Sequence, residues 1–144
     1  MPKTKIFASA QDVENAFYEA LELADLDLMM SIWADDEEII CVHPGGPRLI
    51  GYAAIRDGWR RIFDHGTRLE IQVSHLSNVS TPFAVMHSLL EQIRVRDKAD
   101  VMAPVAATNI YVRGAMGWHM VAHHASPVPP LSPESVSESP KVLH

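Results

Sequence analysis

A histidine follows a run of β-formers and precedes a tight turn in "IICVHPGGP", residues 39–47. At a strand end, His43 can project into a cavity mouth and move a proton near neutral pH, because a free imidazole titrates at about 6.5. The competing reading is an imidazole bonded to its own turn, which holds the loop and does no chemistry. Cys41, two residues earlier, is the only cysteine. A lone thiol in an apolar run is more often a small buried hydrophobe than a nucleophile.

Polar groups on the later segments can supply further points in a pocket. His87 and Glu91 share one face of a strand, as do Asn109 and Tyr111 on the next. His123 and His124 are adjacent, so on a strand they point to opposite faces and cannot readily close on one ion. A metal-dependent enzyme would need three ligands from separate strands, such as His43, His87 and His124. The acidic run "DDEE" at 35–38 carries no calcium-loop pattern and reads as solvated. No phosphate loop, dinucleotide fingerprint, G-x-S-x-G elbow or zinc spacing occurs. The expectation is no cofactor and no metal. Trp33, Trp59 and Trp118 serve best as core or pocket wall, shaping volume.

Those residues must be positioned by one domain, since the chain has 144 residues. Hydrophobic residues at 47% and charged residues at 21% are ordinary for a globular protein. A net charge of -6 argues against a nucleic-acid partner. The basic cluster Arg56, Arg60 and Arg61 sits at helical spacing beside Asp57 and Asp64, as on a solvated helix face. No segment has the length of a membrane span or of a signal-peptide core, and the single thiol suits a reducing compartment. The expectation is a cytoplasmic protein without a membrane partner.

Ser9 and Asp12 have the form of a capping box, and Val13, Ala16, Phe17, Ala20, Leu21 and Ala24 then recur at helical spacing. The opposite face carries Glu14, Asn15, Glu19 and Glu22, expected to meet water. Asp25 can cap a second helix containing Met29, Met30 and Trp33. A strand covers residues 39–42 and stops at the Pro-Gly-Gly turn. A third helix buries Ile55, Trp59, Ile62 and Phe63 and ends near Gly66.

The period then changes. "RLEIQVSHLSNVS", "FAVMHSLLEQIRVRD", "VMAPVAATNIYVRG" and "GWHMVAHHAS" read as four strands of an antiparallel meander, connected at 78–82, 97–100 and 114–117. Phe83, Val85 and Leu89 alternate with Ala84, Met86 and Leu90, so both strand faces are apolar. One face can cover the helices; a second subunit's sheet would cover the other, giving a symmetric homodimer. The last stretch, residues 127–144, has five prolines and four serines and reads as a tail beyond a domain at 1–126.

The run "FYEALELADLDLMMSIWADDEEIICVHPGGPRLIGYAAIRDGW" followed by "ATNIYVRGAMGWHMVAHHAS" resembles the SnoaL-like branch of the nuclear transport factor 2-like superfamily, over roughly residues 10–126. The resemblance implies an α+β fold: helices held in a curved, mainly antiparallel sheet forming a cone-shaped barrel with an apolar pocket. Relatives of this kind include ketosteroid isomerases and polyketide cyclases. Against the isomerase pattern, Phe17 stands where an oxyanion-donating tyrosine would be, with Tyr18 next to it. Ala106 stands where the second donor, an aspartic acid, would be. The general-base position falls on Cys41, or on His43 with a two-residue gap. A standard ketosteroid isomerase is therefore not expected. Related sequences end the last strand in a histidine two residues before a serine, which maps to His124 and Ser126.

The resulting expectation is a protein binding a small, mainly apolar organic molecule, with cofactor-free acid/base catalysis of the isomerase, cyclase or dehydratase type. His43 is the candidate catalytic residue. Tyr18, Trp33, Trp59, His87, Asn109, Tyr111 and His124 are the candidate substrate contacts. The alternative is a non-catalytic ligand-binding or dimerisation module.

Overall fold

Ser9 caps the first helix: its hydroxyl accepts from the Asp12 amide at 3.0 Å, and α1 runs Ala10–Leu23. Ala24, in the left-handed region at φ 54°, ends that helix, and the Asp25 carboxylate accepts from the Leu28 amide at 3.0 Å to start α2, Leu26–Ile32. The computed structural model describes residues 6–98 and 104–129. The expected connection at 97–100 lies partly outside the described residues, and so does most of the Pro/Ser-rich tail.

The Pro-Gly-Gly turn does more than stop a strand. β1, Ile40–Val42, turns back on β2, Arg48–Ile50, with Cys41 opposite Leu49 and the Gly46 amide donating to the His43 carbonyl at 2.8 Å. β2 is not foreshadowed by the sequence pattern, because three residues are too few to show a period of two. α3, Tyr52–Asp64, buries Ile55 and Trp59 and keeps Arg60 and Arg61 outside, paired with Asp57 at 2.5 and 2.9 Å. Such exposed pairs contribute little stability.

Four long strands follow: β3, Leu69–Ser80; β4, Ala84–Val95; β5, Val105–Gly114; and β6, Gly117–Pro127. β3 ends at Ser80, as the segment 68–80 read as a strand does, so residues 78–80 of the expected connection at 78–82 belong to the strand. The six strands lie in the order β2-β1-β6-β5-β4-β3. All neighbouring pairs are antiparallel except β1 with β6. The architecture is α+β in a single domain, as expected, with a curved sheet that is not closed into a barrel: β2 and β3 are its edges.

α1 lies across the concave face and buries Val13, Ala16, Phe17 and Ala20 there. From the sheet come Val85, Leu89, Ala107, Met120 and Ala125, and α2 adds Met29 and Ile32. Glu14 departs from expectation. Its side chain belongs to the buried face of α1, 2% exposed, because it sits one turn after Ala10 and one turn before Tyr18. Among the described residues, no helix is long and apolar enough to cross a membrane.

Candidate functional site

One row of residues crosses the sheet at matched register: His87 on β4 stands opposite Asn109 on β5, which stands opposite His123 on β6. Strand alternation turns all three inward, and each is buried. Above them α1 presents Glu14 and Tyr18, four residues apart and therefore on one helix face. Two polar chains meet there, one centred on Glu14 and one on Tyr18.

Glu14 accepts from the Tyr111 hydroxyl at 2.7 Å on one oxygen, and that oxygen also meets His87 Nδ1 at 2.7 Å. Its other oxygen meets His75 Nε2 at 2.6 Å, with Gln11 Nε2 donating at 3.2 Å. An ionised carboxylate only accepts, so the network assigns a proton to each facing imidazole nitrogen. Burial by itself would raise the Glu14 pKa. Hydrogen bonds from His87, Tyr111 and His75, with the charge of His87, outweigh it and hold the carboxyl below its ordinary 4.5.

The Tyr18 hydroxyl donates to Glu91 Oε2 at 2.6 Å and accepts from Asn109 Nδ2 at 3.1 Å. Asn109 Oδ1 in turn accepts from His123 Nδ1 at 2.6 Å. Burial raises the Glu91 pKa, the Tyr18 hydrogen bond opposes the rise, and the negative Glu14 adds to it, leaving Glu91 above 4.5. Burial also raises the Tyr18 and Tyr111 hydroxyls, keeping both protonated as donors. His123 is lowered to about 3 by burial, then by the charges of His43 and His124, and so stays neutral. Two buried carboxylates are thus pushed in opposite directions by their surroundings.

A groove of about 340 Å³ between α1 and β3 reaches this cluster from solvent. Glu14, Tyr18 and His75 form its floor, Ile71 and Val73 its apolar wall, and Glu19 and Glu22 its rim. The groove is more polar than the apolar cone pocket expected from the sequence. Glu14, His75 and His87 also bring one ligand atom each to within 4.8 Å of one another.

Of the residues chosen from the sequence, Tyr18, His87, Asn109 and Tyr111 converge in the cluster. Trp33 and Trp59 are core residues whose indole N–H groups are buried without an acceptor. His43 stands apart. It packs edge-on against Trp59, with ring centroids 4.4 Å apart, and its Nε2 lies 3.8 Å from Cys41 Sγ. Burial lowers its pKa, and it also raises the Cys41 thiol to about 12, so neither forms part of an activated thiolate pair. His124, placed among the substrate contacts, is on the outer sheet face and exposed; the inward residue of that pair is His123. The residues proposed for a three-histidine metal site do not share a face.

Sequence reasoning missed Glu14 and His75. Signals for both exist: Ala10, Glu14 and Tyr18 follow four-residue spacing on the apolar side of α1, and His75 continues the alternation of Ile71 and Val73. The acidic run at 35–38 is local structure, with the Asp36 carboxylate accepting from the Glu38 amide at 2.7 Å.

The profile of the SnoaL-like domain matches residues 11–130. A structure from Thiobacillus denitrificans ATCC 25259, provisionally described as a calcium/calmodulin-dependent protein kinase type II association domain, is 37% identical. It superposes with a TM-score of 0.83 over 87% of this chain and 99% of that one. A structure from Streptomyces avermitilis, provisionally described as a dehydratase of the NTF2-like family, is 29% identical, with a TM-score of 0.71 over 82% of this chain and 92% of that one. The F-box protein SKIP8 of Arabidopsis thaliana is 24% identical over 117 residues, 79% of this chain but only 47% of that protein, so the chain spans about half the length of this curated relative. The fold and the profile match together establish that the chain belongs to the SnoaL-like domain family of the nuclear transport factor 2-like superfamily.

Proposed function

We propose that this SnoaL-like domain binds a small organic molecule in the groove between α1 and β3 and performs cofactor-free acid/base chemistry on it. Ile71 and Val73 take the apolar body of the ligand, and a carbonyl or hydroxyl oxygen turns toward Tyr18. Glu91, whose raised pKa favours the carboxylic acid, supplies the proton. The Tyr18 hydroxyl turns its own proton to the ligand oxygen and takes the Glu91 proton in exchange, leaving Glu91 as carboxylate, while Glu14 remains ionised to fix His75 and His87. The observation that carries this reading is the opposed displacement of the two buried carboxylates, the arrangement that lets one site hold an acid and a base at the same pH. Protonation of a ligand oxygen is the acid step of an isomerase or dehydratase reaction. His43 is left with a packing role. A reducing, cytoplasmic setting suits the single buried thiol of Cys41.

The test is a protein-detected NMR titration with cyclohexanone, cyclohexanol and phenol, compounds with an apolar body and one oxygen. Saturable shifts at Ile71, Val73 and Tyr18, weakened at least tenfold by Tyr18→Phe, support the reading. No shift at those residues with any of the three compounds overturns it.

A second reading concerns assembly and rests on a separate observation. The outer sheet face carries Met86, Ile110, Val112 and Ala122 on one side of a polar row, Ser88, Thr108 and His124, and Leu90 with Ala106 on the other, a face more apolar than a solvated strand alternation gives. A second copy of the chain packed on this face gives the homodimer.

A further inference from the structure

We propose that Glu14, His75 and His87 form a binding site for one divalent transition-metal ion, of the zinc or iron(II) class, at the floor of the α1–β3 groove. Among the described residues, this is the one set of three histidine, cysteine or carboxylate side chains whose ligand atoms gather within 4.8 Å. Two imidazoles and one carboxylate are a donor set that such ions accept, with a remaining position open to water or substrate. Calcium and magnesium are disfavoured, because they require mostly oxygen ligands.

The surroundings meet the requirements of a built site. The three ligands come from three elements, α1, β3 and β4, so each is fixed independently. Tyr111 donates to Glu14 Oε1 at 2.7 Å and orients the carboxylate from behind, as outer partners of metal ligands do. The Glu14 and His87 side chains are 3% and 7% exposed, whereas that of His75 is 35% exposed and lines the groove, which gives the ion an entry path.

Binding exchanges contacts already present. The oxygen–nitrogen separations of 2.6 and 2.7 Å are hydrogen bonds to the two different oxygens of Glu14; around a tetrahedral ion with bonds of ~2.0 Å, one of those oxygens would stand ~3.3 Å from each imidazole nitrogen, so the ion replaces both bonds. Each ring then keeps one proton, on its other nitrogen, and the second proton of a charged ring leaves on binding. The positive ion takes over from two N–H groups the task of neutralising the buried Glu14 carboxylate. This site lies at the Glu14 end of the cluster and goes beyond the proton-transfer reading, in which the moving proton runs through Tyr18 and Glu91.

The test uses the full chain without an affinity tag, stripped by chelator and dialysed. Zinc is added in a calorimeter, and cobalt(II) is followed by its visible absorption. One equivalent of zinc per chain and tetrahedral cobalt bands are expected. His75→Ala should weaken zinc binding at least about 100-fold and abolish the bands, and Tyr111→Phe should weaken it about 10- to 100-fold. His124→Ala should leave it unchanged. Because His75 is partly exposed, its variants should fold; if circular dichroism shows His75→Ala unfolded, His75→Gln is read in its place. Absence of stoichiometric zinc binding, or binding equal in wild type and the His75 variant, overturns the proposal. Tyr18→Phe should retain zinc while losing the organic compounds, so the two readings fail separately.

Discussion

Glu14 on α1 and His87 on β4, 73 residues apart in the chain, meet at 2.7 Å inside the domain. The bond ties the first helix to the middle of the sheet, and Tyr111 and His75 reinforce it from both sides. An ionised carboxylate survives burial here only because donors surround it.

Replacing that carboxylate by an amide should therefore be costly although the shape is kept. Glu14→Gln leaves an NH₂ group facing donors and removes the buried charge. A loss of about 3 kcal/mol in unfolding free energy is expected, read from urea denaturation. A loss under about 0.5 kcal/mol would mean that the cluster is not a structural tie.

Stability should fall in acid, with a sign set by His123. Its folded pKa of about 3 lies below the free value of 6.5, so between these limits the unfolded chain takes up a proton that the folded chain refuses. That contribution is complete above pH 6.5 and declines as pH falls toward 3. Glu14 acts in the same direction, losing its contribution as pH drops through its depressed value. Glu91, raised, acts in the opposite direction as pH climbs from 4.5 through its folded value. Chemical denaturation across pH 4–7 should show the net decline, and His123→Gln should flatten it by up to about 1.4 kcal/mol per pH unit. An unchanged slope in the variant would remove His123 as the cause.

Gly117 begins β6 at φ +91°, and a Cβ there would lie 2.6 Å from the Phe7 carbonyl oxygen, which already accepts from the Trp118 amide at 2.9 Å. Gly117→Ala combines an unfavourable backbone conformation with a collision against main chain. A cost above about 1 kcal/mol is expected in thermal unfolding. A neutral substitution would mean that the N-terminal segment does not dock at this turn.

Charge placed on the outer sheet face should separate the proposed dimer. Leu90→Glu puts a carboxylate between Ser74 and Ala106 on the face that carries Met86 and Ile110. Light scattering after gel filtration should give twice the chain mass for the wild type and a single chain mass for the variant, with circular dichroism unchanged. A wild-type monomer would exclude the assembly.

The helices and the long strands were legible because each repeats a pattern many times: Val13, Phe17 and Ala20 mark the inner face of α1, and Val85, His87, Leu89 and Glu91 mark that of β4. β2 was not, since three residues paired through backbone atoms leave no periodic trace. Tyr18, His87, Asn109 and Tyr111 were recognised as polar points, yet their centre was not. Glu14 reads as a solvated acid until residues 61 to 97 positions away fold against it as donors. His43 drew notice for its place at a strand end, but local position does not reveal that Trp59 fills the space beside it. The register of β5 against β6, with its irregularity between Ile110 and Tyr111, decides that His123 and not His124 faces inward, and adjacent histidines give no hint of which.

The most direct measurement is an NMR titration of the Glu14 and Glu91 side-chain carboxyl carbons, assigned with Glu14→Gln and Glu91→Gln. The expected result is Glu14 titrating below 4.5 and Glu91 above it. Both carboxyls at the ordinary value, or the reverse order, would contradict a site that holds an acid and a base side by side.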